Sequence, residues 1–342
     1  MNEKILQILG IQKDANILKL ILQCSDKNVI ESCFMEFTID DWSKAVLIPK
    51  LINSLRSYWG NTTKRREDSY THTAACISSQ IGCPMNCIFC ANARTPFVRN
   101  LTTEEMIEQI KIIVTLGKGD KTSFSLKEIQ FGGIGEPLYN YGNVVQTIKI
   151  LFDDEELREK LHICKDEILI ILSTVGIVPQ IYKLAKEKLP IFLQVSLHAS
   201  NDTIRKRIIP ASTYTLNQIF SAIQYYADNV LQPVIINYVV ISGINSSTCY
   251  AEELAEYIYM YDIPVIVKVS YLNPTGNNLY SFTSDISKFV KTLKEKGILA
   301  IPFKSLGTNI RSGCGQLRSY YGYLASKLER RVPITKTDEY KE

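Results

Sequence analysis

Seven short apolar runs, rich in β-branched residues, punctuate the chain after residue 73, at 74–79, 128–132, 167–173, 191–197, 234–241, 265–271 and 299–303. Each is nearly continuous in hydrophobicity rather than alternating, the pattern of a strand buried on both faces. Helical patterns fill the intervals, at 103–115, 143–152, 178–187, 216–227, 250–261 and 284–296. Thr103, followed by Glu104 and Glu105, is the expected cap of the first helix, with acid near the positive end of its dipole. Strands alternating with helices at this spacing predict a parallel sheet with right-handed crossovers. About six such units predict an α/β fold, an open, partial (β/α)6 barrel of the TIM type, rather than the full eight-unit barrel.

The first 73 residues break this rhythm. Residues 16–23 and 29–37 read as two strands of a hairpin turning through 24–28. Residues 40–59 read as helical, and 61–73 as a polar, solvated loop carrying Lys64-Arg65-Arg66. The expected organisation is an N-terminal hairpin and helical extension over 1–73, a barrel over 74–320 and a C-terminal tail over 321–342.

Composition narrows the class. With 46% hydrophobic and 22% charged residues the chain is neither disordered nor fibrous. Its 39 basic and 35 acidic residues leave +4, which permits nucleic-acid binding without arguing for it. No apolar stretch reaches the roughly 18 residues of a membrane span, and the N-terminus lacks the apolar region of a secretion signal. A cytoplasmic protein with no membrane partner is expected, so its nine cysteines call for an explanation other than structural disulfides.

Cys24, Cys33, Cys164 and Cys249 are loosely spaced and read as small, reduced, partly buried residues. Cys76, Cys83, Cys87 and Cys90 crowd into fifteen residues, and Cys314 stands apart between two glycines. Cys83-Pro-Met-Asn-Cys87-Ile-Phe-Cys90 has the spacing C-x3-C-x2-C directly after a predicted strand. Such a loop can wrap three thiolates around one face of a [4Fe–4S] cubane, which normally takes four, so one iron stays open. A zinc site from Cys76, Cys83, Cys87 and Cys90 is the alternative, but its first gap of six residues and the lack of a second pair do not suit zinc. Gly132-Gly133-Ile134-Gly135-Glu136-Pro137 follows the second strand, where glycines let a ligand approach the backbone and Glu136 can accept bonds from an ammonium group. Ser173 and Ser196 end the third and fourth strands, and His198 follows Ser196. Their hydroxyls and imidazole suit ribose and carboxylate contacts at the same rim, although His198 also reads as a core histidine.

The three-cysteine loop, with Phe89 before its last cysteine, resembles the radical S-adenosylmethionine (SAM) superfamily. The resemblance sharpens with Cys76-Ile-Ser-Ser-Gln-Ile-Gly-Cys83, Arg99-Asn-Leu-Thr102, Gly133-Ile-Gly-Glu-Pro137, Leu172-Ser-Thr-Val-Gly176, Val195-Ser-Leu-His198, Leu272-Asn-Pro274 and Cys314-Gly-Gln-Leu317. In order and spacing these are similar to motifs of the RlmN/Cfr family, radical SAM methyltransferases acting on adenine in RNA. The resemblance spans roughly residues 74–320. It implies a [4Fe–4S] cluster on Cys83, Cys87 and Cys90, two SAM molecules per turnover, and cofactor contacts from Gly135, Glu136, Ser173, Ser196, His198 and Asn273. It implies that Cys314 is methylated and donates that carbon to an sp2 carbon of the substrate. Cys76 then attacks the resulting thioether, forming a transient disulfide and releasing the product. Glu31 resembles a hairpin glutamate proposed to remove the substrate proton. The implied partners are an electron donor such as flavodoxin or ferredoxin, and RNA, for a protein expected to be a monomer. The usual N-terminal accessory domain associated with RNA recognition is not expected here, and 38–73 reads as an insertion. A peptide, nucleotide or natural-product substrate is therefore an alternative, as are a non-methylating radical enzyme and a non-catalytic RNA-binding relative.

Overall fold

The computed structural model describes residues 5–37, 71–273, 286–305, 307, 310, 311, 313, 316 and 317. Its centre is an open ten-stranded sheet. Three antiparallel strands come first, β1 (Leu6–Asp14), β2 (Ile17–Cys24) and β3 (Val29–Phe37). Seven parallel strands continue the sheet: β4 (His72–Ile77), β7 (Glu128–Phe131), β8 (Leu169–Thr174), β9 (Phe192–Ser196), β10 (Val234–Val240), β11 (Val265–Tyr271) and β12 (Ala300–Phe303). The short β5 (Gln80–Ile81) and β6 (Arg99–Asn100) pair separately beside the rim. All seven parallel strands fall on the seven apolar runs, and helices connect each consecutive pair, as expected for a partial barrel of six βα units plus a closing strand.

Strand parity builds two cores. Ile129, Phe131, Ile170, Leu172, Leu193 and Val195 point outward into the main core against the helices. The alternate residues Leu169, Ile171, Phe192, Ile235, Ile266 and Ile301 point inward and seal the barrel floor. Burial on both faces is why these runs show no polar alternation. The outer layer consists of α1 (Thr103–Lys118), α2 (Tyr141–Asp153), α3 (Glu155–Lys160), α4 (Val178–Glu187), α5 (Asp202–Ile208), α6 (Leu216–Val230), α7 (Thr248–Tyr261) and α8 (Ser287–Glu295). On α6, Leu216, Ile219, Phe220, Ile223, Tyr226 and Ala227 form the buried stripe, each large apolar side chain contributing roughly 1.5–3 kcal/mol.

Four expectations change. The cap of α1 is Thr102, whose hydroxyl accepts from the Glu105 N–H while Glu105 returns a bond to the Thr102 N–H. Thr103 is the first helical residue, and its hydroxyl donates to the Asn143 carbonyl instead. Helices α3 and α5 were not expected, both being too short to show a period. Nor was β1, whose inner face is polar enough to read as loop. The expected hairpin is present as β2 and β3, but it is no separate appendage. β3 pairs directly with β4, Phe34 opposite Ala75 and Cys33 opposite Cys76. The expected helix at 40–59, the Lys64-Arg65-Arg66 loop and the 321–342 tail lie outside the described residues.

Candidate active site

The loop from Cys83 to Cys90 leaves the barrel rim after β5. It starts from Gly82 at φ +75°, where an added Cβ would lie 2.0 Å from the Pro96 carbonyl oxygen. Within it the Cys90 N–H donates to the Cys87 carbonyl, and the Ile88 N–H to the Ile208 carbonyl. Met85, Ile208, Ile209, Val239, Ile241, Ile244 and Leu272 form an apolar nest against which Cys83, Cys87, Ile88 and Phe89 pack. Burial pushes the Cys83 thiol up to about 12, opposed by bonds from the Met85 and Gly135 N–H groups. Burial also raises Cys87, further raised by charge on Cys90 and Cys83 and eased by Arg205, and it raises Cys90, eased by bonds from Asn92. Among the described residues no three Cys, His, Asp or Glu side chains converge closely enough for a single metal ion. The fit to a [4Fe–4S] cluster rests on donor chemistry, three mutually interacting thiols on one desolvated loop, which iron would hold as thiolates.

The glycine turn lies against this loop. A Cβ at Gly133 would meet the Ile77 carbonyl at 2.7 Å, and one at Gly135, where φ is +114°, would meet Gln80 at 2.7 Å. Glu136, 2% exposed, accepts from the Leu138 N–H at 3.0 Å and the Val175 N–H at 2.8 Å. Burial pushes its carboxyl up to about 7 despite those bonds, one from Thr174, and the nearby Arg205 charge. Arg205, from α5, is 1% exposed and bonds the carbonyls of Ser196 (3.2 Å), Leu197 (2.5 Å) and Val175. It ties the ends of β8 and β9 together and places a cation beside Cys87 and Glu136.

The other expected cofactor residues divide. The Ser173 hydroxyl accepts from the Gln194 amide at 2.7 Å on the inner face. Ser196, partly exposed, is also on that face, with only its carbonyl engaged by Arg205. His198 is 2% exposed at φ +59°, its Nδ1 accepts from the Val239 N–H at 3.0 Å, and its ring meets Phe89 edge-on at 4.7 Å. Burial, with the Arg205 and Lys268 charges, lowers it to about 3, so the imidazole is neutral. In this arrangement it braces the cysteine loop. Asn273 lies two residues past the end of β11, and a Cβ on Gly313 would lie 3.2 Å from its Nδ2. The Gly313 N–H donates to Gln316, and Gln316 and Leu317 are buried. Cys314 itself lies outside the described residues; Gly313 before it lies beside Asn273.

Below the rim, β2, β3 and β4 align Lys19, Cys33 and Cys76 side by side on the inner face, with Gln130 next on β7. Glu31, two residues before Cys33 and 1% exposed, pairs with Lys19 at 2.8 Å. Its carbonyl accepts from the Ser78 hydroxyl at 2.6 Å, which in turn accepts from the Ile134 N–H of the glycine turn. Gln109 of α1 bonds both Ser32 and the Ser78 backbone, locking β3 to the end of β4. Burial raises the Cys76 thiol, opposed chiefly by Lys19. Lys268 projects inward from β11, 4.0 Å from the Phe303 ring centroid and 3.4 Å from Gln194 Oε1. It is half-buried there, and burial pulls its ammonium down to about 8 against the attraction of Glu128 and Cys76.

A family model described as "Radical SAM superfamily" matches residues 77–257. A probable dual-specificity RNA methyltransferase RlmN of Natranaerobius thermophilus is 32% identical over 321 residues, covering 92% of this chain and 88% of that protein. The Thermotoga maritima protein of the same description is 37% identical over 246 residues, covering 71% of this chain and 68% of that one. A crystal structure of a radical SAM methyltransferase from Sphaerobacter thermophilus superposes with a TM-score of 0.76 at 28% identity, covering 92% of this chain and 82% of that one. The chain belongs to the RlmN family of radical SAM methyltransferases.

Its cofactors are accordingly a [4Fe–4S] cluster and SAM. No described helix is long and apolar enough to cross a membrane. In this RlmN-family chain the sequence reading had missed Lys19, Arg205 and Lys268. Lys268 was legible as one charge inside the otherwise apolar Val-Ile-Val-Lys-Val run, and Lys19 similarly inside Ile-Leu-Lys-Leu-Ile. Arg205, on a seven-residue helix, left no signal.

Proposed function

We propose that the protein methylates an sp2 carbon of adenine in RNA through a methyl group carried by Cys314. The observation that carries this reading is the placement of Glu31 and Cys76 on one inner face beside the cysteine loop, with Gly313 beside Asn273. Cys83, Cys87 and Cys90 would hold the cluster, and the turn at Gly135 and Glu136, with Ser173, Ser196 and Asn273, would hold SAM. When bound, these cofactors supply the methyl group and a hydrogen-abstracting radical. Glu136 orients the methionine ammonium by charge, and the apolar nest around Cys87 excludes water. Glu31, paired with Lys19, takes the proton from the substrate carbon. The Cys76 thiolate attacks the Cys314 sulfur; as the disulfide forms, the carbon–sulfur bond breaks and its electron pair stays with the product carbon, which takes up a proton. RNA is the substrate favoured by the relatives' description as RNA methyltransferases. A flavodoxin or ferredoxin would supply electrons to a cytoplasmic monomer.

The test incubates reconstituted enzyme and methyl-labelled SAM with deproteinised ribosomal RNA, transfer RNA and a small-molecule extract. Label at adenine C2 or C8 is expected. Label confined to the small-molecule or peptide fraction, with methyl-Cys314 present, would keep the chemistry and reject the substrate.

A further inference from the structure

The cysteines outside the cluster loop are not equivalent. Cys164 and Cys249 are exposed. Cys24 is buried on the outer face of β2 among core residues such as Leu22, facing the helices. Cys33 is 4% exposed on the inner face and sits directly opposite Cys76 in the β3–β4 register. Directly opposed residues of an antiparallel pair project to the same side with Cα atoms about 4.5–5.5 Å apart, inside the roughly 4.4–6.8 Å window of a disulfide. Both cysteines are free in the structure. The mechanism proposed above does not use Cys33, yet it leaves its neighbour oxidised after every turnover, buried in a disulfide that must be broken before Cys314 can be methylated again.

We propose that Cys33 is a third working thiol, which breaks the Cys76–Cys314 disulfide by exchange and leaves a Cys33–Cys76 disulfide for an external dithiol to reduce. This rests on the methyl-cysteine reading. In the exchange the Cys33 sulfur attacks Cys76 Sγ, the bond from Cys76 to Cys314 breaks, and the Cys33 proton ends on the departing Cys314 sulfur. Nothing is oxidised or reduced overall in that step. The dithiol then delivers two electrons and two protons and leaves as its own disulfide. Lys19, opposite Cys33 on β2, supplies positive charge to the attacking sulfur; it lowers both thiols, while burial holds Cys33 up at about 12. A protonated pair is protected from stray oxidation. The exchange frees Cys314 for the next methylation before the external dithiol acts.

The test uses unmethylated protein from iron-starved cells, reconstituted with iron and sulfide and equilibrated anaerobically in glutathione redox buffers. Alkylation followed by peptide mapping reads each linkage, and a parallel sample incubated with SAM reads methyl-Cys314. Cys33–Cys76 is expected to exceed Cys76–Cys314 at least tenfold in the wild-type chain. In Cys33→Ser, and in Cys33→Val, which keeps a strand-compatible residue, Cys76–Cys314 should become the main linkage. A wild-type chain in which Cys33 stays fully alkylated while Cys76 is joined to Cys314 overturns the exchange, as does one in which Cys76 forms no linkage at any ratio. If methyl-Cys314 is present in either case, only the exchange fails. If it never forms, the methyl-cysteine reading fails with it.

Discussion

The parallel strands and the antiparallel strands of this one sheet serve different ends. From β4 to β12 the inner face is apolar at the floor and hydroxyl- and amide-lined above, with the cysteine loop and glycine turn at the rim. From β1 to β3 the sheet merely continues past β4, outside the 77–257 span of the superfamily match. Yet those strands deliver Lys19, Glu31 and Cys33 against Cys76. In the proposed mechanism the rim holds the cofactors, whereas the added strands bring charge and one thiol to Cys76, the cysteine proposed to release product. Cofactor binding and product release can therefore be broken separately.

The largest effect is expected at the rim. Changing Cys83, Cys87 and Cys90 together to alanine should remove the whole cluster, seen as loss of about four iron and four sulfide per chain after reconstitution, while the fold persists by circular dichroism. Retained iron would refute the ligand assignment. The next largest tests the added strands. Lys19→Met removes the cation facing the buried Glu31 carboxylate and should cost about 3–5 kcal/mol in denaturant unfolding, whereas Lys19→Met with Glu31→Leu should recover most of it. Equal losses in both variants would mean that packing, not charge pairing, holds these strands.

Lys268 sharpens the comparison through pH. Its ammonium titrates near 8 in the folded chain, below the 10.5 of an unburied lysine. The unfolded chain thus binds more protons between these values, and this lysine's contribution to stability rises as pH goes from about 8 to 10.5. Below pH 8 its burial costs up to roughly 3 kcal/mol. Lys268→Met should accordingly be more stable than wild type at pH 7, with the gap closing by pH 10; a gap that does not change with pH would exclude titration of Lys268 as its cause. The smallest effect is expected at Arg99, which bonds Glu105 at the start of α1 and Asp26 in the β2–β3 turn. It is about one third exposed, and Arg99→Ala should cost only about 1 kcal/mol, read as earlier hydrogen exchange in the β2–β3 turn than in the barrel strands.

By itself the sequence determined the barrel and its cofactor loop, because both are local patterns. A strand buried on both faces must be apolar throughout, and three thiolates must come from one short loop to share one face of a cluster. Residues 83–90 and the turn at 132–137 therefore announce themselves in order, and the seven apolar runs became the seven parallel strands. Tertiary structure alone decided the rest. Only β3 pairing with β4 brings Glu31 and Cys33 to Cys76, across more than forty residues of chain. His198 meets Phe89 edge-on while the strand β10 amide at Val239 bonds its Nδ1, contacts that the Val-Ser-Leu-His run does not disclose. Arg205 left no local signal, and Lys19, although it stands out inside an apolar run, gives no local sign of what it meets. Inside the barrel their charges face low-dielectric surroundings, where position relative to Glu31, Glu136 and the thiols sets what each can do.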